Sequence, residues 1–474
     1  MIAIKNTARL AMLFLNNWFP PAITVVVLVC LLAPARSHAA ATNQITPEFI
    51  QQVLERLEKD EAEIKSLKTE LGNRPPAPTV NTNSINAVPD PVLRQRFEKD
   101  EAELKNLKAE LDEKDTAEQK PKYPNIQFHG FGDIDYAADT RKRGLIPYGV
   151  NNYGDRNSFF LGELDIFLTS QLADNISILT ETALSAGLDN HMGLDIERLY
   201  LEYRANNYFN IDVGRFHTAL GYYSTTYHHG TWLQTAVGRP TFLQFEDSGG
   251  ILPIHMVGVS VHGAIPSGPL NLNYFIEVGN GHDYSSNPDV NAVQQVVSFS
   301  DSKAVNVAIT SRPEGLPGWQ FGGGVYYDRI KPDLASAPIP GGPTSLPSNN
   351  QFIFNGHIVY HNSLWEFLTE GYLIRDQPVN GSAHYSPAFY AQISRKFGLL
   401  TPYARFTYYN VSRNDLLYTL AWAGGVNAGV HYGPSLGLRY DFADYAALKL
   451  QYDHLHDSGL NDASRITLQA CFTF

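Results

Sequence analysis

From Pro121 to the C-terminus the chain alternates apolar and polar residues in runs of about ten, the period of strands with one apolar and one polar face. The last run shows it best. In Arg465 to Phe474 the even positions, Ile466, Leu468, Ala470, Phe472 and Phe474, are apolar and the odd ones mostly polar. The alternation predicts sixteen strands. The first eight are Ile126–Ala137, Ser158–Leu172, Ile176–Leu184, Ile196–Arg204, Tyr208–Phe216, Ile254–Ile265, Leu270–Val278 and Ser302–Ser311. The rest are Trp319–Ile330, Gln351–Tyr360, Leu364–Arg375, Tyr385–Arg395, Leu400–Val411, Gly429–Phe442, Ala446–His456 and Ser464–Phe474. Short turns such as Ala173-Asp174-Asn175 and His361-Asn362-Ser363 alternate with longer loops. A barrel with tight turns at one end and loops at the other has this asymmetry, and an even count returns both chain ends to the turn side.

Before Pro121 the period changes. Arg56 to Leu71 and Arg96 to Leu111 are near copies, forty residues apart. Ile50, Leu57, Ile64 and Leu71 recur every seven residues, with Val53 and Leu67 between them. Phe97, Leu104 and Leu111 repeat the pattern, with Leu93 and Leu107 between. That is the seam of a short coiled coil, with Asp60 and Asp100 at core positions that set register at a cost in stability. The prolines of 72–91 break the helix between the copies. The expectation is a stalk over 45–118 that holds several chains together, with a solvated charged helix as the alternative.

Lys5 and Arg9 precede the apolar stretch Ala22 to Ala33, and Ser37-His38-Ala39 and Ala39-Ala40-Ala41 are small-residue cleavage candidates. This predicts a secretory signal peptide over 1–41. Cleavage removes Cys30 and leaves Cys471 alone, so no internal disulfide is expected. The N-terminal run is the only long apolar one, which excludes a bundle of membrane helices. A β-barrel needs no such run, and 26 Tyr and 25 Phe can supply its interfacial girdles.

A terminal strand that finishes on Phe474 resembles the last strand of bacterial outer-membrane barrels. The run Val213-Gly214-Arg215-Phe216 followed by Gly221 resembles the strand-to-loop passage of the phosphate-selective porin family, and the N-terminal heptads are similar to the coiled coil of sucrose porins. These resemblances imply an all-β transmembrane barrel, a 16-stranded antiparallel porin barrel over 121–474, preceded by a short α-helical coiled coil. They also imply an outer-membrane location with the stalk in the periplasm, a homotrimer in outer-membrane lipid, and Phe474 as the signal read by the barrel-assembly machinery.

The longest connection, His217 to Pro253, follows the fifth strand, and a loop of that length is usually functional. In sixteen-stranded porins the third outer loop folds inward, so the candidate constriction is Tyr223, Tyr227, His228, Trp232, Arg239, Glu246 and Asp247. A phosphate filter needs several cations. The loop offers Arg239 with Arg215 at its edge, and residues 121–474 hold 21 Lys+Arg against 31 Asp+Glu, a balance of −10. Phosphate specificity is therefore not carried over.

Alternation predicts the charges that face the lumen. If Ile134 and Tyr136 face lipid, Asp133 and Asp135 face inward, as do Glu163, Asp165, Glu181, Glu202, Asp212, Glu366 and Glu370. Arg198, Arg204, Arg405, Arg439, Lys449 and Arg465 join them. The late-strand cations facing Glu246 and Asp247 would set up a transverse field; the alternative is that these charges only hydrate the wall. His228 and His229 are adjacent and point opposite ways on an extended chain, so no metal and no cofactor is expected. No triad spacing, phosphate-cradling motif or basic balance supports an enzyme or a nucleic-acid partner. The function expected is passive diffusion of small hydrophilic solutes or ions. The alternative is a structural anchor whose stalk binds the cell wall.

Overall fold

The computed structural model describes residues 123–140, 158–186, 192–228, 230–244, 250–284, 296–298, 301–332, 347–418 and 428–474. The signal peptide, stalk and linker assigned from the sequence lie outside these residues, as do His229, Glu246 and Asp247.

The described residues form one closed antiparallel barrel. Its strands are β1 Asn125–Asp139, β2 Ser158–Ala173, β3 Ile176–Ala186, β4 Met192–Asn206, β5 Phe209–His217, β6 His255–Ile265 and β7 Leu272–Asn280. After the two-residue β8, Asp283–Tyr284, come β9 Lys303–Ser311, β10 Trp319–Pro332, β11 Asn349–His361, β12 Trp365–Pro378 and β13 His384–Arg395. The wall is completed by β14 Leu400–Val411, β15 Gly429–Ala443, β16 Ala446–Asp457 and β17 Ala463–Thr473. β8 only adds a parallel pair to the end of β10, so seventeen strands make sixteen staves. Each stave pairs with its sequence neighbour, and β1 closes on β17 with Phe131 opposite Thr473, Asp135 opposite Gln469 and Asp139 opposite Arg465. Closure leaves no sheet edge, the condition for strands to cross a bilayer.

Every stave expected from the alternation is present. Leu400–Val411 has the expected bounds. β4 begins four residues before Ile196, because Met192 to Asp195 pair with Ala186 to Ala183 of β3; Gly193 hides the alternation there. The wall is apolar outside and polar inside. On β17 Ile466, Leu468 and Phe472 are exposed, while Arg465, Thr467, Gln469 and Cys471 are buried. Phe159, Leu194, Val213 and Leu436 are likewise bare on the outer face, a costly arrangement in water and a favourable one in lipid.

Turn chemistry closes the short ends. The Asn362 side-chain oxygen accepts the N–H groups of Leu364 and Trp365 at 2.9 and 2.6 Å, and Asn206 does the same for Tyr208 at 2.8 Å. Trp365, Phe397, Tyr445 and Phe474 stand exposed around this rim. The Arg395 guanidinium lies 4.9 Å over the Trp365 ring and 4.6 Å over Phe397. Aromatic rings at a barrel rim, Trp365 and Tyr445 with a polar end, suit the membrane–water interface.

Candidate functional site

A loop packed against the inner wall of a barrel buries its own N–H and C=O groups there, and each buried group must find a partner. The described residues of 218–254 do this largely with charged wall residues sorted by sign. At the start, Ala219 N–H donates to Glu277 of β7 at 2.9 Å. Tyr222 and Tyr223 N–H groups donate to the two oxygens of Glu370 on β12, at 2.7 and 2.8 Å. These donors open the short helix α1, Tyr223–Thr226, so the carboxylate also meets the positive end of its peptide dipoles. Tyr372 and Tyr390 hydroxyls complete the Glu370 shell at 2.8 and 2.7 Å.

Further along, carbonyls need donors, and the wall supplies cations. Lys449 Nζ donates to Thr231 O and Ala236 O. Arg439 Nη1 donates to Trp232 O at 2.8 Å and Gln234 O at 3.0 Å. Arg405 donates to Gly238 O at 2.8 Å and Val237 O at 3.3 Å. Gln451 takes both sides of Val237, accepting its N–H at 3.0 Å and donating to its C=O at 3.1 Å. The loop returns with the Tyr418 hydroxyl on Ile251 O at 3.0 Å. Its apolar residues Leu220, Phe242, Leu243, Ile251 and Leu252 pack against Tyr326, Ile353, Tyr372, Tyr390 and Tyr409. This inner stretch of β10–β14 is therefore covered by loop.

The seven loop candidates take different places. Tyr223 is buried, with its hydroxyl on Gln234, and burial pushes that hydroxyl's pKa up. Burial, then the charge of Glu366, push the Tyr227 hydroxyl well up, so it stays protonated and donates to Glu366 at 3.0 Å. His228 is buried and has a left-handed backbone, φ 48°. Trp232 lies half-buried with the Arg439 guanidinium 4.9 Å over its ring. Arg239 is buried, donates to Leu243 O at 2.9 Å, and lines a cavity with Arg405, His431, Asp453, Asp457 and Arg465. Glu246 and Asp247 lie outside the described residues.

On the wall, Asp133, Asp135 and Asp165 are buried, and Glu163 and Glu202 are half-buried. Gln469 Nε2 donates to Asp133 at 3.2 Å, and Ser177 donates to Glu202 at 2.9 Å. Arg465 Nη2 pairs with Asp139 at 2.9 Å across the β1–β17 seam. Because β1 adjoins β17, the acids of β1 and β2 and the bases of β16 and β17 sit side by side rather than across the barrel. Arg204 is exposed, beside the Asn206-Asn207 turn, where a long side chain reaches water.

Several participants carry no signal in spacing. Glu370 is one of many inward carboxylates. Gln451, Gln234 and Tyr403, whose hydroxyl donates to Gln451 at 2.9 Å, resemble ordinary wall and loop residues. His217 and His255 face each other as the last residue of β5 and the first of β6, a pairing that appears only once the hairpin register around the loop is known.

No protein-family model matches the chain, and no curated protein matches it. Solved structures do align with it. A loop L8 deletion mutant of OmpT, an outer membrane protein of Vibrio cholerae, is 12% identical over 74% of this chain and 99% of its own, with a TM-score of 0.46. The outer membrane channel DcaP of Acinetobacter baumannii is 12% identical over 74% of this chain and 97% of its own, TM-score 0.46. The anion-selective porin from Comamonas acidovorans is 10% identical over 74% of this chain and 100% of its own, TM-score 0.48.

Proposed function

We propose that the chain is an outer-membrane channel for passive diffusion of small hydrophilic solutes or ions, through a barrel narrowed by the inward loop 218–254. The observation that carries this reading is the loop's anchorage: both its N–H and its C=O groups are satisfied by charged residues of the inner wall. A lining that holds a loop in the lumen fits a filter, since loop position then sets the opening. Tyr227, Trp232 and Arg239 would line the narrow part, with Tyr223 and His228 in its supporting body. Glu246 and Asp247 would give it an acidic side. Asp133, Asp135, Glu163, Asp165 and Glu202 would line the vestibule, and Arg405, Arg439 and Lys449 would hold the loop while adding positive potential.

The assembly that fits is a homotrimer in outer-membrane lipid, with the 45–118 stalk in the periplasm and Phe474 as the assembly signal. Liposome swelling tests the reading. Purified protein should admit small sugars at rates that fall with solute size. Absence of swelling with correctly folded protein contradicts an open pore. One observation favours the anchor instead: the apolar packing of Phe242, Leu243 and Ile251 against the wall is what a plug requires.

A further inference from the structure

Three histidines far apart in sequence meet at the root of the loop. His217 ends β5, His255 begins β6 opposite it, and His228 follows α1. One ring nitrogen from each lies within 4.8 Å of the others. His228 Nε2 and His255 Nε2 are 3.0 Å apart. The carboxylate of Glu197, from β4, joins them, with Oε2 2.7 Å from His255 Nε2 and 4.0 Å from His228 Nε2. His228, His255 and Glu197 are all buried.

We propose that His217, His228, His255 and Glu197 form a binding site for a divalent transition-metal ion of the Zn2+ class. Three imidazoles and one carboxylate are a donor set for zinc or copper(II) rather than for calcium or magnesium. Tetrahedral ligands at zinc distances stand about 3.3 Å apart, and the separations among His228, His255 and Glu197, 2.7, 3.0 and 4.0 Å, bracket that value, while His217 brings a ring nitrogen within 4.8 Å of the other two imidazoles. The His217 and His228 rings are stacked, with centroids 3.6 Å apart and planes at 16°. Joint ligation therefore requires one ring to turn about its χ2, so that its in-plane lone pair meets the ion. Glu181 stands 3.7 Å from His217 Nε2 and is bonded by Arg198, a second carboxylate at the edge of the shell. Arg215 donates to the Glu197 carbonyl at 3.1 Å and brings a second guanidinium near the cluster. An ion here would tie both roots of the loop, through His217 and His255, to its body at His228. The site stands whether or not the barrel conducts.

The test is calorimetric titration of ZnCl2 into the chelator-stripped full-length protein in detergent, near neutral pH. The expected result is one saturable Zn2+ per chain, with affinity reduced about tenfold or more in His228→Asn and in His255→Asn. His228→Asn is the conservative choice because asparagine tolerates the left-handed backbone. The heat-modifiable mobility of the barrel checks that each variant is folded. Substituting Co2+ should give the visible bands of a nitrogen-rich tetrahedral site. A second cluster, Glu202, Asp212 and His262, supplies the control, and His262→Asn should leave the binding intact. No saturable binding of Zn2+, Ni2+ or Cu2+ overturns the proposal and leaves a hydrogen-bonded His–Glu network. Binding that survives His228→Asn and His255→Asn but is lost in His262→Asn overturns it equally.

Discussion

The Glu370 carboxylate accepts the backbone N–H of Tyr223 at 2.8 Å, across 147 positions of sequence. Wall and loop meet there at the point where the chain turns into the barrel. With Tyr222 N–H and the Tyr372 and Tyr390 hydroxyls on the same group, four donors converge on one buried carboxyl and meet its hydrogen-bonding demand. Glu370→Gln presents an amide NH2 to groups that themselves donate, and weakens loop anchorage by about 2 kcal/mol. Limited proteolysis should then cut within 218–254 while the barrel keeps its heat-modifiable mobility. Wild-type resistance would show that the loop is held elsewhere.

Gly221 lets the loop come this close. Its φ is +88°, and an added Cβ would lie 2.0 Å from the Tyr372 hydroxyl and 2.2 Å from Glu370 Oε2. Gly221→Ala is expected to loosen the loop as Glu370→Gln does. The double variant should be little worse than either single one, because both break the same contact. Full additivity in loop-protease sensitivity would separate the two sites.

The acidic charges of the loop and the wall cations that hold it should be distinguishable by ion preference. Glu246→Gln with Asp247→Asn is expected to reduce cation preference without changing assembly. Arg405→Gln with Arg439→Gln should move the preference the other way and also raise current noise, since both side chains hold loop carbonyls. Unchanged reversal potentials in both pairs would remove these residues from the conducting path.

Asp415, in the connection after β14, is buried, and burial holds its carboxyl above the usual range; hydrogen bonds from Asp376 and from Leu417 N–H at 3.0 Å offset part of this. A folded carboxyl raised in this way binds its proton more tightly than the unfolded chain does. Its contribution is therefore unfavourable near neutral pH, and stability is recovered as pH falls through the folded pKa. Asp415→Asn should slow amide exchange over 412–418 at neutral pH and flatten its pH dependence. An unchanged pH profile would mean that another group governs this segment.

The staves were readable because their period is two and each buries one face only. Turns followed from residues such as Asn206 and Asn362, which bond their own backbone. Inward direction at Glu370 also followed from alternation. What alternation cannot give is a partner. It places Glu370, Lys449 and Arg439 on the inner wall without saying that they meet loop amides and carbonyls. Nor does it bring His217, His228 and His255 together, because that depends on the hairpin register on either side of a long connection.

The stalk gives a separate prediction. Deleting Thr42 to Glu118 should leave the barrel folded and lower the heat and detergent resistance of the oligomer, since short heptad segments are stabilised only when several chains are held together. Equal resistance would argue against a clamping role.

Single-channel recording in planar bilayers, with reversal potentials in a KCl gradient, tests the diffusion channel most directly. An open barrel narrowed by the 218–254 loop gives stable conductance steps and a reversal potential that shifts when Glu246 and Asp247 are neutralised. Electrical silence from correctly folded protein would contradict it and favour a plugged barrel that serves as an anchor.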